Sequence, residues 1–314
     1  MAAQPIRPTR QRALFEFIAL HLALTVVVNL VFFTAGTFRP LASATGGLIS
    51  GSLVANWLFI GLLVVWIILR RGSLRFYDVG LILRDGPFGI LFTAGLWAAA
   101  QLIHVIAGLL HDGSLTLHDH WQYATFIISL LAAQIIGNAL FEDTAYRGFL
   151  FPQAYLALSR LRRWQWPRLL LALLLSQGLF ALSHIPNRIY LGMSRDALIF
   201  DLGLLLIWGL IFTAIYLRTD NLFVVIGVHA LGNAPTTLIT PAPGLSGAGE
   251  SLLIYALAVF GLFMLPPILR GVQHERAYRR RRAARRGRTA QRAMQTDPRR
   301  SADDSPTPFA ADSE

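Results

Sequence analysis

Eight apolar stretches divide the chain, and they constrain its fold more than any other feature of the sequence. A helix needs roughly 20 apolar residues to cross the hydrocarbon core of a bilayer. Only 14% of the 314 residues are charged and 54% are hydrophobic, whereas soluble domains carry about 25% charged residues. We therefore expect an all-α, polytopic membrane protein of about eight transmembrane helices. The predicted spans are Ala13–Phe33, Ser52–Leu69, Pro87–Leu110, Gln122–Phe141, Pro167–Ser183, Ala197–Leu217, Leu222–Gly232 and Leu252–Leu269.

Two of these spans are expected to continue as helix beyond their apolar cores. The fourth is expected to reach about Leu158, and the short seventh span about Thr237.

Arginine-rich and arginine-poor segments alternate along the chain. The rich segments hold Arg7, Arg10 and Arg12; Arg70, Arg71, Arg75 and Arg84; Arg160, Arg162, Arg163 and Arg168; Arg218; and the tail. The intervening loops hold Arg39, then none in His111–Trp121, then Arg188 and Arg195, then none in Pro241–Glu250. Positive residues favour the cytoplasmic side. This pattern predicts an even number of spans with both termini in the cytoplasm, at the plasma membrane if the cell is prokaryotic.

The composition also divides the chain into parts. We expect a cytoplasmic N-terminal segment (1–12), a transmembrane domain (13–269) and an Arg-rich, disordered cytoplasmic tail (270–314). The tail is predicted to bind anionic lipid at the inner leaflet, and no nucleic acid is expected as a partner. The chain has no cysteine, which excludes disulfides, thiolate metal sites and a cysteine nucleophile.

Ionisable residues at membrane depth are costly and usually functional, and one cluster lies in the fourth span. On a helix, Asp143 and Arg147 are neighbours at i,i+4 and can form an ion pair. Glu142 is rotated from Asp143 by about 100°, so it is expected to point at another partner. A buried network that only fixes packing is the alternative for the three charges.

Two histidine pairs lie on other spans. Phe180 and His184 share one helix face, and His229 and Asn233 share another. Taken alone, each histidine also fits a purely structural role. Taken together with Glu142, they form the inventory of a water-activating site. Two mechanisms stay open: Glu142, His184 and His229 hold Zn²⁺ with a bound water, or Glu142 acts as a metal-free general base.

Distances along the helices predict different membrane depths for the two histidines. His184 lies 21 residues after Arg163, whereas His229 lies only 11 residues after Arg218, or about 16 Å along a helix. A tilted helix, or an Arg218–Asn221 loop set deeper in the membrane, would bring His229 to the site.

At these residues the sequence resembles the CPBP family of intramembrane proteases, which includes the type II CAAX prenyl endopeptidases and the Abi proteins. The family pattern is Glu-Glu-x-x-x-Arg, then Phe-x-x-x-His, then His-x-x-x-Asn. The matching residues here are Glu142 to Arg147, Phe180 to His184 and His229 to Asn233. The resemblance covers about 127–235. The second acid is Asp143 instead of Glu, and at i,i+4 it still reaches Arg147.

The resemblance implies an endopeptidase of metallo- or glutamate type that cleaves near the C-terminus or in the membrane-embedded part of a substrate. It implies Glu142 as the water-activating base, with His184, His229 and Asn233 as the other catalytic residues. Asp143, Arg147 and Phe180 are expected to support them. The expected partner is a membrane-associated peptide or protein. A non-catalytic scaffold or immunity protein and a proton-coupled transporter are the alternatives.

Overall fold

The computed structural model describes residues 6–161 and 164–264. Within this part of the chain the secondary structure is helical, apart from one isolated antiparallel bridge between Leu117 and Ile239. The expected all-α fold class is confirmed. The Arg-rich tail predicted for 270–314 lies outside the described residues. The described residues up to Leu262 belong to one compact unit.

Among residues 6–161 and 164–264, six helices are long and apolar enough to cross a membrane, so the chain is a multi-pass membrane protein. They are α1 (Gln11–Phe33), α2 (Gly51–Arg71), α3 (Leu83–Asp112), α4 (Asp119–Ala157), α5 (Gln165–Tyr190) and α6 (Arg195–Thr219). Two shorter apolar helices follow, α7 (Leu222–Asn233) and α8 (Ala248–Met264). A short helix (Arg39–Ala44) connects α1 to α2, and a 3₁₀ turn (Phe76–Val79) precedes α3.

Helix α7 lies in the middle of the bundle. Ten of its 12 residues are buried, and it packs against α3, α4, α6 and α8. An apolar helix of 10–14 residues is typical of a buried core helix, because it is too short to span the bilayer. The predicted seventh span is therefore a central packing helix.

The predicted extension of this helix to Thr237 is wrong, since α7 ends at Asn233. Pro235 disfavours helical backbone in the residue before it. Ala234 accordingly has φ −142° and ψ 77°, and the chain turns away from the helix axis. By contrast, α4 continues to Ala157, close to the predicted end at Leu158.

Two glycines allow close approach at the helices that carry the candidate site. A Cβ atom at Gly232 of α7 would overlap the ring of Tyr255 on α8. A Cβ atom at Gly148 of α4 would overlap the carbonyl oxygen of Val79 in the 3₁₀ turn. Small residues permit such contacts between membrane helices, and these two hold α4 and α7 at fixed distances from their neighbours.

Gly148→Ala is expected to lower the midpoint of thermal unfolding in detergent, because the turn at Val79 must move. Overpacking of this kind costs about 1–3 kcal/mol. Gly178→Ala in α5 is the matched control, because a Cβ atom there meets nothing within 4 Å. Equal midpoints for the two variants, measured by size-exclusion chromatography after heating, would contradict this packing.

Candidate active site

Three residues from three helices converge on one carboxylate. Glu142 lies near the middle of α4, His184 lies between the two helical segments of α5, and His229 lies on α7. The Nε2 atom of His184 is 3.5 Å from Oε1 of Glu142. The Nε2 atom of His229 is 3.5 Å from Oε2 of the same carboxylate. The structure thus brings together three of the four residues predicted to be catalytic.

The start of α7 is tied into the bundle. Leu222, the first residue of this helix, is fully buried, so α7 begins inside the bundle. The side chain of Asn221 caps the helix by accepting from the N–H groups of Phe223 and Val224, and it donates to the carbonyl of Asp85. This start brings His229, seven residues further along α7, to Glu142. The deeper loop stays a prediction.

The hydrogen bonds of both imidazoles fix which nitrogen carries the proton. Nδ1 of His184 is 2.8 Å from the carbonyl oxygen of Phe180, its i−4 residue. Since a carbonyl oxygen only accepts, Nδ1 of His184 is the donor. Nδ1 of His229 donates in the same way to Oδ2 of Asp143 at 3.2 Å. In the neutral form of each ring, Nε2 is then the acceptor nitrogen, and it lies toward Glu142.

Asp143 has two partners. Its Oδ1 atom is 3.3 Å from Nη1 of Arg147, the predicted i,i+4 ion pair, and its Oδ2 atom accepts from His229. Both charged side chains are fully buried. The shorter acid, which departs from the family pattern, thus still reaches Arg147 and also orients His229.

Arg147 is enclosed by aromatic rings. Its guanidinium lies 4.4 Å from the ring centroid of Phe180 and 5.3 Å from that of Phe212. Phe212 also stacks on the His229 ring, at a centroid distance of 4.6 Å. A cation over an aromatic face is stabilised by the ring quadrupole. Phe180 therefore supports the site twice, through its ring at Arg147 and its carbonyl at His184.

Asn233 lies one turn beyond His229 and bonds to other polar groups. Its Nδ2 atom donates to Oε1 of Gln134 at 3.0 Å, and its Oδ1 atom accepts from the Tyr255 hydroxyl at 3.4 Å. It lines the same cavity as Glu142, His184 and His229. The structure therefore places Asn233 beside the carboxylate centre without a direct bond to Glu142.

The cavity has a volume of about 540 Å³, within the range of ligand-binding pockets. Glu142 and the two histidines lie in its wall, whereas Asp143 and Arg147 lie behind them and are not part of the lining. A molecule in the cavity can accordingly reach the Glu142 carboxylate. The Asp143–Arg147 ion pair can affect such a molecule only through the side chains that lie between them.

Sequence reasoning missed a second chain of hydrogen bonds beside the site. Nε2 of His21, on α1, is 2.7 Å from the Tyr146 hydroxyl. This hydroxyl donates to Ser183 Oγ, which donates to the same Phe180 carbonyl that holds His184. The polar His21 within an apolar span was the available signal, but nothing in the sequence paired it with α4.

The donor atoms at Glu142 are of types that bind zinc, and each histidine has the outer partner that zinc-bound histidines use. However, no group of three His, Cys, Asp or Glu side chains in the described ranges is arranged to hold a metal ion. The present arrangement is thus not a formed metal site. The zinc hypothesis stays a prediction.

Comparison with known proteins bears on the segment that carries these residues. Residues 124–235 match the family model described as "Type II CAAX prenyl endopeptidase Rce1-like". No curated protein and no solved structure matches the chain. The family match confirms the resemblance found in the sequence and covers nearly the same residues.

The buried ion pair between Asp143 and Arg147 predicts that removal of one partner is strongly destabilising and that removal of both charges is much less so. Arg147→Met leaves the Asp143 charge without its cation, and breaking a buried pair costs about 3–5 kcal/mol. Adding Asp143→Asn removes the remaining charge and keeps an oxygen that accepts from His229. We expect the single variant to unfold at a much lower temperature and the double variant to recover most of the loss. Additive losses in this cycle, measured by thermal unfolding in detergent, would contradict the pairing.

Proposed function

We propose that this chain is an intramembrane endopeptidase in which Glu142 activates the attacking water. The match to the Rce1-like family indicates a peptidase. The proposal is supported by the position of the Glu142 carboxylate, which lies in a cavity wall at 3.5 Å from two histidine Nε2 atoms. Carboxylates and imidazoles are the usual groups for proton transfer to and from reacting water.

The arrangement of acceptors defines the proton transfer. We propose that both histidines are neutral, so that the two Nε2 atoms and both oxygens of the Glu142 carboxylate accept hydrogen bonds and none donates. A water molecule that binds here donates one hydrogen bond to Glu142 and a second hydrogen bond to the Nε2 atom of a histidine. Its oxygen lone pair then faces the cavity, where the scissile carbonyl carbon must lie.

The hydrolysis proceeds in two steps. Glu142 takes a proton as the water oxygen bonds to the carbonyl carbon, and the carbonyl oxygen becomes an oxyanion. The C–N bond then breaks, and Glu142 gives its proton to the leaving amine. Asn233 lies in the same wall, and its Nδ2 group keeps a second N–H beyond the one donated to Gln134. This N–H is the donor we assign to the oxyanion.

Asp143 and Arg147 are positioning residues in this proposal. Asp143 fixes the proton on Nδ1 of His229, so that Nε2 stays available as an acceptor. Arg147 balances the charge of Asp143. A carboxylate that orients a histidine in this way is a common supporting element of catalytic sites.

We place both termini in the cytoplasm, because the segments next to them, before α1 and after α8, are both rich in arginine. The cavity lining includes Phe33 at the end of α1, Ser52 at the start of α2, Arg188 near the end of α5 and Ser251 near the start of α8. All four positions belong to the bundle end with the arginine-poor loops. The substrate we propose is a membrane-associated peptide or protein that reaches Glu142 from this end.

Glu142→Gln and His184→Ala are expected to abolish hydrolysis in proteoliposomes, with a rate loss of about 10²–10⁴-fold for a lost general base. The probe is a membrane-delivered, farnesylated CAAX peptide with a fluorescent reporter of cleavage. Glu16→Gln is the matched control, because Glu16 pairs with Arg12 and Arg71 away from the cavity. Cleavage at the wild-type rate in both site variants, at equal expression, would refute the assignment.

A further inference from the structure

The cavity around Glu142 collects most of the chain's asparagines. Five of the six asparagines in the sequence line it, and Gln134 joins them. The five are Asn29, Asn56, Asn138, Asn187 and Asn233. They come from α1, α2, α4, α5 and α7, so the helices present carboxamides from several sides. The sixth, Asn221, caps α7 instead.

A carboxamide has the same hydrogen-bonding groups as a peptide bond, a carbonyl acceptor and an N–H donor. Inside a membrane, each backbone N–H and C=O must find a partner within protein. A peptide bond exposed to hydrolysis has left its helix and has lost its own partners. A wall of carboxamides supplies replacements for both groups.

Part of this wall is already bonded internally, which fixes its orientation. Nδ2 of Asn187 donates to Oδ1 of Asn29 at 3.0 Å, and Nδ2 of Asn29 donates to the Thr25 carbonyl. Oε1 of Gln134 accepts from both Asn138 and Asn233, at 3.4 and 3.0 Å. These hydrogen bonds fix the orientation of the carboxamide groups in the wall.

Other polar atoms of the wall have no hydrogen-bond partner within the described part of the chain. Nδ2 of Asn56 donates to the Ser52 carbonyl, while its Oδ1 atom is unused. Oδ1 of Asn138 and Nε2 of Gln134 are unused as well. Acceptor oxygens on Asn56 and Asn138 and donor N–H groups on Gln134 are thus available among the lining residues, and these are the complements of a peptide N–H and a peptide C=O.

We infer that this carboxamide wall binds the main chain of an extended, unwound substrate segment. Recognition through the main chain is indifferent to the substrate side chains at these positions. The inference rests on the proposed function and names its substrate class: any membrane segment that can enter the cavity in extended form.

The test measures peptide binding and does not require cleavage. Glu142→Gln protein in nanodiscs is titrated against two fluorescent ten-residue peptides, one rich in Leu and Ala and one rich in Phe, Ser and Gly. Each peptide is also made with its central backbone nitrogens methylated, which removes N–H donors. Binding is followed by anisotropy and competed with unlabelled peptide.

We expect both peptides to bind with similar affinity and N-methylation to weaken each by about two- to tenfold per lost hydrogen bond. Asn56→Leu and Asn138→Leu are expected to weaken the unmethylated peptides and to reduce the further effect of N-methylation. Gln101→Leu is the control, because this amide bonds Leu238 N–H outside the cavity.

Absence of saturable binding, or binding unaffected by N-methylation, would overturn the inference. The N-methyl comparison uses the unaltered cavity wall, so it does not depend on the folding of the asparagine variants. Peptide binding without hydrolysis by the wild-type protein would instead refute only the proposed function, and the two failures are thus distinguishable.

Discussion

The site depends on the neutralisation of charge at a depth where charge is expensive. Two carboxylates and one guanidinium lie together, and Asp143 and Arg147 are completely buried. An uncompensated ion in such surroundings costs several kcal/mol. Asp143 forms an ion pair with Arg147 and accepts a hydrogen bond from Nδ1 of His229. Glu142 is left as the second acid, and the Nε2 atoms of His184 and His229 face it.

The short helix α7 adds His229 to this group of charged side chains. Because α7 begins inside the bundle and is buried along most of its length, it carries His229 to the level of α4. The same helix ends directly after Asn233, and its contact with Tyr255 at Gly232 sets its distance from α8.

The sequence predicted the helical class, most helix bounds, and the convergence of Glu142, His184 and His229. These follow from local rules: apolar length, the i,i+4 spacing and the cost of intramembrane charge. It did not predict that α7 stops at Asn233, that Asp143 bonds His229, or that His21 reaches Tyr146. The end of α7 follows from Pro235, a local signal that the predicted extension to Thr237 passed over. The other two contacts join residues far apart in the chain, and only the packing of whole helices decides them.

Proteolysis by this chain is proposed to depend on the Glu142 carboxylate. This dependence is measured by comparing protein termini in membranes of cells that express either the wild-type chain or Glu142→Gln at equal levels. Mass spectrometry of these termini is predicted to reveal a defined set of new ends, inside or next to membrane segments, that only the wild-type chain produces. Identical sets of termini in the two membranes would contradict the claim.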